Sequence, residues 1–329
     1  MGNIEDMSKL ISMPQDKSAY DDASSGLSAQ SMQLLRDCTL CPRACHVNRL
    51  TGNVGYCGQT ASVQAARAAL HYWEEPCISG ENGSGTVFFS GCSLRCIYCQ
   101  NHDIALGKAG KPVSIAHLAE IFLTLQKKGA HNINLVTPSH FIPQIIDALT
   151  RAKNAGLTLP IVYNTGGYEE VTSLRLLDGL VDIYLPDLKY CSAELGRQFS
   201  NAPDYFDKAS AAIAEMYRQV GAIQLDNTGL LKRGMIVRHL ILPEQTKDSK
   251  KVLRYLHETY GDTIYVSIMN QYTPLAHVAK LPPLDRRITP EEYANILRFA
   301  ERLGIDNGFI QEGDTAQDSF IPPFDYSGL

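Results

Sequence analysis

The sequence lacks an apolar run of membrane-spanning length and lacks any excess of positive charge. Its 329 residues include 30 Lys and Arg against 35 Asp and Glu, which gives a formal net charge of −5. No segment is long and apolar enough for a transmembrane helix, and the polar start of the chain does not resemble a signal peptide. Proteins that bind nucleic acid through phosphate attraction need a basic surface, so this class is disfavoured. We expect a cytoplasmic protein with neither a membrane nor a nucleic acid as its partner.

Two motifs are also missing. No Gly-x-Gly-x-x-Gly turn follows the first predicted strand, which removes the main support for a dinucleotide-binding sheet. The nine cysteines are odd in number and fall mostly in two clusters, unlike the framework of a disulfide-rich protein. In a cytoplasmic chain, clustered thiols are typical of metal binding. With 44% hydrophobic residues, the chain can fill the core of a large domain.

From Thr86 onward, short apolar runs alternate with amphipathic stretches. Strands that are apolar on both faces and joined by helices indicate a parallel sheet. About six such units predict an α/β fold, a partial or complete (β/α) barrel rather than a doubly wound sheet. The predicted strands are Thr86–Ser90, Asn132–Val136, Pro160–Asn164, Asp182–Pro186, Ile236–Leu242 and Thr263–Met269, with a weaker seventh run at Gly308–Glu312. The predicted helices are Ser114–Lys128, Phe141–Ala155, Glu169–Leu177, Lys247–Tyr260 and Pro290–Leu303, with N-caps at Ser114 and Thr289.

Composition divides the chain into four parts. Residues 1–30 are rich in Ser, Asp and Ala and predict a flexible tail, and residues 31–85 form a Cys-rich, metal-binding segment. Residues 86–312 form the predicted barrel, and residues 313–329 form a C-terminal tail. A helix over Ser62–Tyr72 is predicted to lead out of the Cys-rich segment.

Three cysteines follow the first predicted strand with the spacing C-x3-C-x2-C, and residues 91–101 around them are called the three-thiol loop. In a barrel, loops at the C-terminal ends of strands form the catalytic face. Thiolates from Cys92, Cys96 and Cys99 can hold three corners of an iron–sulfur cubane and leave one metal open to bind something else. The alternative is a structural zinc site that takes a fourth ligand such as His102.

This motif, with Tyr98 before its third cysteine, resembles the signature of the radical S-adenosylmethionine superfamily. The wider sequence is similar to uncharacterised iron–sulfur proteins akin to pyruvate formate-lyase activating enzyme, in the runs FFSGCSLRCIYCQN, NINLVTP, VYNTGGY, DIYLPDLKY, RHLILP and CPRAC. The resemblance implies a [4Fe-4S] cluster on Cys92, Cys96 and Cys99, with S-adenosylmethionine on the open iron. It further implies one-electron cleavage to a 5′-deoxyadenosyl radical that abstracts hydrogen from a substrate, and an electron donor such as flavodoxin or ferredoxin.

Other strand ends supply candidate contacts to S-adenosylmethionine. The Gly-Gly-Glu run that many relatives carry after the second strand is absent, and Thr137 and Ser139 are the candidates to replace it, although a plain capped turn explains them equally well. The resemblance to activating enzymes places Asp187 and Lys189 beside the cosubstrate, whereas the residues alone also fit a charge pair that closes the strand end. The full set of candidate cofactor-binding residues is Thr137, Ser139, Asn164, Asp187, Lys189 and Asn270.

A second cluster of thiols precedes the barrel. Cys38, Cys41, Cys45 and Cys57 define the four-thiol segment, residues 38–57. So short a segment gains order from a bound metal, because binding energy then supplies folding energy. Four thiolates close a tetrahedral zinc site, and they serve an auxiliary iron–sulfur cluster equally well. His46 is a possible substitute for one ligand.

The leading hypothesis is a radical enzyme, with two substrate classes in competition. An activating enzyme installs a glycyl radical on a large partner protein, and the insertion 191–232, with a predicted β-hairpin between Ala222 and Arg233, offers a docking element. A small-molecule enzyme instead transforms a metabolite inside the barrel. The alternative from another class is a non-catalytic, zinc-binding interaction protein. Arg238, in the fifth predicted strand, either binds a substrate carboxylate or forms a core ion pair.

Overall fold

The computed structural model describes residues 26–311 and 322–329. Most of the predicted N-terminal tail and Glu312, at the end of the seventh predicted strand, lie outside these residues. The described strands are β1 (Val63–His71), β2 (Ser84–Phe89), β3 (Lys111–Val113), β4 (Ile133–Val136), β5 (Ile161–Thr165), β6 (Ile183–Pro186), β7 (Gln224–Leu225), β8 (Leu231–Leu240), β9 (Tyr265–Met269) and β10 (Gly308–Ile310).

Most of the long helices cross over between strands. The described α-helices are α1 (Ala29–Arg36), α2 (Pro76–Ser79), α3 (His102–Ala105), α4 (Ile115–Lys127), α5 (Ile142–Asn154), α6 (Val171–Leu174), α7 (Ala193–Ser200), α8 (Tyr205–Val220), α9 (Thr246–Tyr260) and α10 (Pro290–Leu303). Both predicted N-caps are confirmed: Ser114 accepts the backbone N–H of His117, and Thr289 forms a reciprocal capping box with Glu292. The helix predicted over Glu169–Leu177 is reduced to α6 and one 3-10 turn. None of the described helices is long and apolar enough to cross a membrane.

The sheet confirms the predicted α/β architecture. Seven strands of the sheet are parallel, and their order across the sheet follows their order in the chain: β2, β4, β5, β6, β8, β9 and β10. Their register places Leu135 beside both Val87 and Tyr163. Within the described residues, β10 and β3 lie at the two edges of the sheet, which does not close. The molecule is therefore a partial (β/α) barrel with the carboxyl ends of its parallel strands at one mouth.

Residues Ser62–Tyr72 were predicted to be helical, and this prediction is wrong. They form β1, which pairs antiparallel with β2 and β3. Alanine favours helices, and four alanines in this stretch suggested one. Pairing on both sides overrides that weak preference, because small buried side chains such as Ala65 and Ala68 let the strand pack closely beneath the helices.

The last residues of the chain extend this side of the sheet. The Tyr326 backbone N–H donates to Ala66 O at 3.1 Å, and the Ala68 N–H donates to Ser327 O at 2.8 Å. Asp325 pairs with Arg67 at 2.7 Å. Residues 322–329, which fall in the predicted C-terminal tail, are thus bound along β1.

The loop after β1 enters the barrel interior. Asn134 in β4 donates to Glu74 Oε1 at 2.9 Å, and Arg238 in β8 also pairs with Glu74. Because β5 and β6 separate these two strands in the sheet, one side chain can reach both only from inside the curve. Cys77 and Ile78 of α2 follow this loop and pack on apolar strand residues. The loop after β1 and helix α2 therefore fill part of the barrel interior.

The insertion 191–232 is mostly an ordinary crossover. Helices α7 and α8 connect β6 to β8, and Phe199, Tyr205 and Ile213 are fully buried. The predicted hairpin is confirmed, since β7 pairs antiparallel with β8. These helices are packed into the barrel wall, whereas Gln224 and Leu225 of the hairpin are exposed.

Candidate active site

The three-thiol loop leaves β2 through a residue that must be glycine. Gly91 has φ +88°, and a Cβ there would lie 2.6 Å from Gln59 Cγ and 2.8 Å from Cys57 O. Such a Cβ is excluded both by the left-handed backbone and by the close packing. Cys96 is buried, whereas Cys92 and Cys99 are half-buried. The glycine therefore lets the loop pack directly on the four-thiol segment.

Hydrogen-bond donors lie beside the sulfurs of this loop. The Leu94 backbone N–H donates to Cys92 Sγ at 3.4 Å, and the backbone N–H groups of Arg95 and Asn101 lower the pKa of Cys92 and Cys99, respectively. The Ser200 hydroxyl, from α7, donates to Cys96 Sγ at 3.0 Å. A neutral thiol is a weak acceptor, whereas donors of this kind stabilise a thiolate. The donor set therefore fits three thiolates that bind metal.

The ionisable side chains at the loop shift one another's pKa values. Burial raises the pKa of the Cys99 thiol well above its usual value, and the neighbouring Cys96 and Cys92 raise it further. Lys189 lowers the pKa of both Cys92 and Cys99. Burial alone lowers the pKa of Lys189, but Asp187 and the thiolate of Cys96 more than offset this and keep the pKa well above its usual range. A cation thus lies beside three thiols, where it stabilises their ionised form.

Asp187 and Lys189 form a pair at the end of β6. Lys189 Nζ lies 2.5 Å from Asp187 Oδ2, and both side chains are largely buried. The charge-pair interpretation is therefore correct, and the electrostatic effect of Lys189 on the thiols also places the pair beside the three-thiol loop. The pair is correspondingly close to any ligand of that loop.

The two candidate residues in the turn after β4 differ in their burial and in their contacts. Thr137 is half-buried and has φ +57°, a conformation that a β-branched residue rarely adopts outside a functional site. Ser139 is almost fully buried, and its hydroxyl donates to the carboxylate of Glu169. The structure therefore presents Thr137 at the mouth, whereas Ser139 contacts another protein group.

Glu169 is a buried carboxylate that the sequence did not single out. It accepts hydrogen bonds from Ser139, from Thr165 and, at 3.2 Å, from the Tyr163 hydroxyl. Burial raises its pKa from 4.5 to about 7, and the three hydroxyl donors only partly oppose this shift. Glu169 therefore links the ends of β4 and β5 through its hydrogen bonds. Burial disfavours the ionised form of its carboxyl in the folded protein.

Glu169→Gln should change how stability depends on pH. Because the folded pKa is raised, the wild type loses stability as pH rises from 4.5 to about 7. The loss from this group is about 3 kcal/mol at most. Urea unfolding at several pH values should therefore show Glu169→Gln gaining on the wild type as pH rises. Glu258→Gln, on the exposed side of α9, serves as the control. A difference between wild type and Glu169→Gln that stays constant with pH would contradict this assignment.

Asn164 and Asn270 lie at the carboxyl ends of two strands, β5 and β9, that β6 and β8 separate in the sheet. Asn164 is half-buried at the end of β5, and its carbonyl accepts the Thr137 N–H at 2.9 Å. The Asn270 N–H donates to Gln311 Oε1 at 2.8 Å. Gln100, next to Cys99, donates to the carbonyl of Gln271 at 2.7 Å. The loop after β9 is thereby tied to the three-thiol loop.

Charged groups also lie inside the barrel. Arg238 donates to both carboxylate oxygens of Glu75, at 2.9 and 2.5 Å, and also pairs with Glu74. The guanidinium more than offsets burial and lowers the pKa of Glu75. We call Glu74, Glu75 and Arg238 the interior ion-pair cluster. The core ion-pair interpretation of Arg238 is confirmed, and its contacts tie the loop after β1 to β8.

The four-thiol segment lies against the three-thiol loop. Arg43 donates to Ser93 O at 2.8 Å and to Asn201 O at 2.6 Å, and its guanidinium stacks 4.0 Å from the Tyr56 ring centroid. Burial raises the pKa of the Cys41 thiol to about 12. Arg43 thus clamps the segment to both the loop and the end of α7.

Two histidines considered as ligands have other contacts. His46 Nδ1 lies 2.8 Å from Asp37 Oδ1 at the surface, and His102 stacks on His277 with ring centroids 4.1 Å apart. Within the described part of the chain, no three Cys, His, Asp or Glu side chains form a group that could hold one metal ion. Sulfurs on a single zinc lie about 4 Å apart. Thiolates on a cubane each bind a different iron and therefore lie farther apart.

Several residues at the site were not singled out from the sequence. Arg43 was visible only as part of the CPRAC run, and Glu169 only as the start of a helix. Ser200 carried no local signal, because its partner Cys96 lies 104 positions away in the chain. Glu74 and Glu75 would have drawn attention as adjacent acids only if the preceding strand had been recognised.

The chain is similar to several known proteins. The chain is 28% identical over 281 residues to the uncharacterized protein MJ0674 of Methanocaldococcus jannaschii, covering 83% of this chain and 77% of that protein. Among solved structures, methylornithine synthase (PylB) is 14% identical, with a TM-score of 0.46 over 64% of this chain and 59% of that one. SuiB of Streptococcus suis bound to its precursor peptide SuiA is 11% identical, with a TM-score of 0.46 over 68% of this chain.

SuiB bound to S-adenosylmethionine is also similar, at 11% identity and a TM-score of 0.45. The chain spans 59% of the length of methylornithine synthase and 46% of the length of the SuiB chain in its peptide complex. The family model of the radical SAM superfamily matches residues 86–256, from β2 to α9, which is more than half of the 329 residues. This chain belongs to the radical SAM superfamily.

Proposed function

We propose that this chain binds a [4Fe-4S] cluster through Cys92, Cys96 and Cys99 and uses it to cleave S-adenosylmethionine. Superfamily membership implies both cofactors and an enzyme with radical chemistry. The observation that carries the residue assignment is that Cys92 and Cys96 accept hydrogen bonds suited to thiolates, while Lys189 stabilises the ionised forms of Cys92 and Cys99. The chemistry supplied by a bound cluster is one-electron reduction of the sulfonium, which yields methionine and a 5′-deoxyadenosyl radical.

Groups around the loop are suited to hold the cosubstrate. The methionine part of S-adenosylmethionine carries an ammonium and a carboxylate, and Asp187 and Lys189 offer opposite charges beside the thiols. Thr137, in its left-handed conformation, and Asn164 are further candidate contacts, with Asn270 across the mouth. Ser139 is the weakest candidate, because its hydroxyl is bound to Glu169.

The protein must also restrict what a carbon radical can reach. The interior ion-pair cluster occupies part of the barrel interior, and its side chains are at most 12% exposed. Phe324, from the C-terminal residues, packs against Phe88 with ring centroids 5.7 Å apart. These contacts reduce the space in which a radical formed at the loop could react.

The test is product formation by protein purified and reconstituted with iron and sulfide under anaerobic conditions. With dithionite and S-adenosylmethionine, it should release 5′-deoxyadenosine and methionine in equal amounts. The electron paramagnetic resonance signal of the reduced protein should change when S-adenosylmethionine is added, since the cosubstrate binds the open metal. Protein that contains iron yet makes no 5′-deoxyadenosine would overturn the proposal.

Two substrate classes remain proposals. The activating role towards a glycyl radical enzyme is supported by the resemblance to activating enzymes, and the exposed hairpin of the insertion stays a candidate docking element. A small-molecule substrate is favoured by the charged barrel interior, which suits a polar ligand. Membership of an enzyme superfamily disfavours the non-catalytic zinc protein. The physiological electron donor is proposed to be of the flavodoxin or ferredoxin type.

A size-fractionated cell extract can separate the two substrate classes. Fractions above and below the size of a small peptide are added to the loaded enzyme, and 5′-deoxyadenosine is measured against the rate without substrate. Stimulation by the large fraction supports the activating role, and stimulation by the small fraction supports the metabolite.

A further inference from the structure

The four cysteines of the four-thiol segment form one group. Cys38, Cys41 and Cys57 are each less than a tenth exposed, and Cys45 is half-buried. The charges of Cys38 and Cys45 act on Cys57, and those of Cys38 and Cys57 act on Cys41. The four thiols lie within twenty residues of sequence, and the backbone folds back on itself there, since the His46 N–H donates to Cys38 O at 3.0 Å and the Tyr56 N–H donates to Cys45 Sγ at 3.3 Å.

Polar donors lie beside the sulfurs of this group. The Tyr56 backbone N–H donates to Cys45 Sγ at 3.3 Å. The backbone N–H groups of Arg43 and Gln59 lower the pKa of the Cys41 and Cys57 thiols, respectively, against the larger effect of burial. The donor at Cys38 is the buried Arg49 guanidinium, with Nη1 3.9 Å from the sulfur.

Donors of this kind stabilise a thiolate. The isolated Cys77 also has a backbone donor, whereas Cys191 has Asp248 and Lys251 as its charged neighbours, so the burial of four thiols together is what distinguishes this segment. Four thiolates buried together repel one another unless a cation neutralises them. The arrangement therefore points to a bound metal group.

The local backbone is built around the same sulfurs. A Cβ on Gly55 would lie 2.7 Å from Cys45 Sγ, so any larger residue would displace that sulfur. Arg49, which faces Cys38, is held by the carbonyls of Thr60 and His140 at 2.7 and 2.5 Å. The sulfur positions are thus fixed by contacts that reach into the barrel.

The location favours iron and sulfide over a single ion. Cys57 O lies against Gly91, and the Tyr56 hydroxyl donates to Leu94 O at 3.4 Å, so the segment touches the three-thiol loop. A second cluster at this position lies beside the first site, and a cubane accepts four thiolates.

We propose that Cys38, Cys41, Cys45 and Cys57 bind a second iron–sulfur cluster, of which every iron has a protein ligand. Because it has no open position, this cluster does not bind S-adenosylmethionine. The proposal does not depend on the cluster at Cys92, Cys96 and Cys99.

The test measures iron, acid-labile sulfide and zinc in anaerobically reconstituted full-length protein. The wild type should hold about eight irons per chain, and a variant with Cys92, Cys96 and Cys99 all changed to Ala should keep about four. The reduced form of that triple variant should give a resonance signal that S-adenosylmethionine leaves unchanged. Cys191→Ala should match the wild type in every measurement.

The complementary variants are Cys45→Ser, at the half-buried position, and the double variant Cys38→Ala/Cys57→Ala. Each should lose about four irons while the remaining cluster still responds to S-adenosylmethionine. Because the triple variant leaves the four-thiol segment intact, it decides the question even if the double variant fails to fold. A triple variant that holds zinc and no iron, or no metal at all, would overturn the second cluster. Failure of the first site alone would instead appear as loss of 5′-deoxyadenosine with about four irons retained.

Discussion

Cys96→Ala should abolish 5′-deoxyadenosine formation and remove the iron held by the three-thiol loop. Cys96 is the most buried of the three cysteines. Ser200 donates a hydrogen bond to its sulfur, and its charge raises the pKa of Cys92 and Cys99. Without it the loop offers only two thiolates, too few to hold a cluster with one open metal. Product analysis by chromatography after reaction with dithionite, together with iron content, measures the effect.

The matched control for this change is Cys191→Ala. Cys191 is half-buried at the start of the α7 region, and the variant should keep both product and iron. A Cys96→Ala protein that forms as much 5′-deoxyadenosine as the wild type would remove the basis for placing the chemistry at this loop.

Arg238→Met should destabilise the fold by about 3–5 kcal/mol at pH 8. The change keeps the length of the side chain but removes the cation that Glu74 and Glu75 share. Two nearly buried carboxylates are then left without a counter-charge, although Asn134 still donates to Glu74. Denaturant unfolding of wild type and variant gives the difference in free energy of unfolding.

The loss in Arg238→Met should depend on pH in a specific direction. In the wild type, Arg238 lowers the pKa of Glu75, so this group contributes stability above its unfolded pKa of 4.5 and loses it as pH falls. In the variant the carboxylates take up protons more readily, and the difference from the wild type should shrink from pH 8 to pH 5. The triple variant Glu74→Gln/Glu75→Gln/Arg238→Met, which is neutral, should recover part of the lost stability. An Arg238→Met protein as stable as the wild type at pH 8 would show that the pair contributes nothing to folding.

Much of the barrel was predictable because its parallel strands are buried on both faces. Such strands leave continuous apolar runs, and Pro160–Asn164 and Asp182–Pro186 lie within one residue of β5 and β6 at each end. Helix α10 was predicted with its exact bounds, because Thr289, Pro290 and Glu292 carry a strong local start signal. Ser62–Tyr72 failed, since nothing local to this stretch shows that β2 and β3 pair with it on either side.

The candidate site likewise combines a local sequence pattern, which was predictable, with long-range contacts, which were not. The spacing of Cys92, Cys96 and Cys99 is a local pattern, and the family match agrees with the chemistry it indicated. The partners of these residues are remote in the chain: Ser200 reaches Cys96 across 104 positions, and Arg43 reaches Asn201 across 158. Contacts of this range form only when helices and loops pack together, and no periodicity along the chain records them.

The buried parallel strands, the helix caps and the thiol motifs therefore follow from neighbouring residues. The reason is that backbone preferences and side-chain spacing act over a few positions. Folding alone placed Glu74 inside the barrel, turned Ser139 towards Glu169, and laid the four-thiol segment against the three-thiol loop. The physical reason is that burial and pairing energies depend on which distant surfaces meet, and the topology of the sheet decides that meeting.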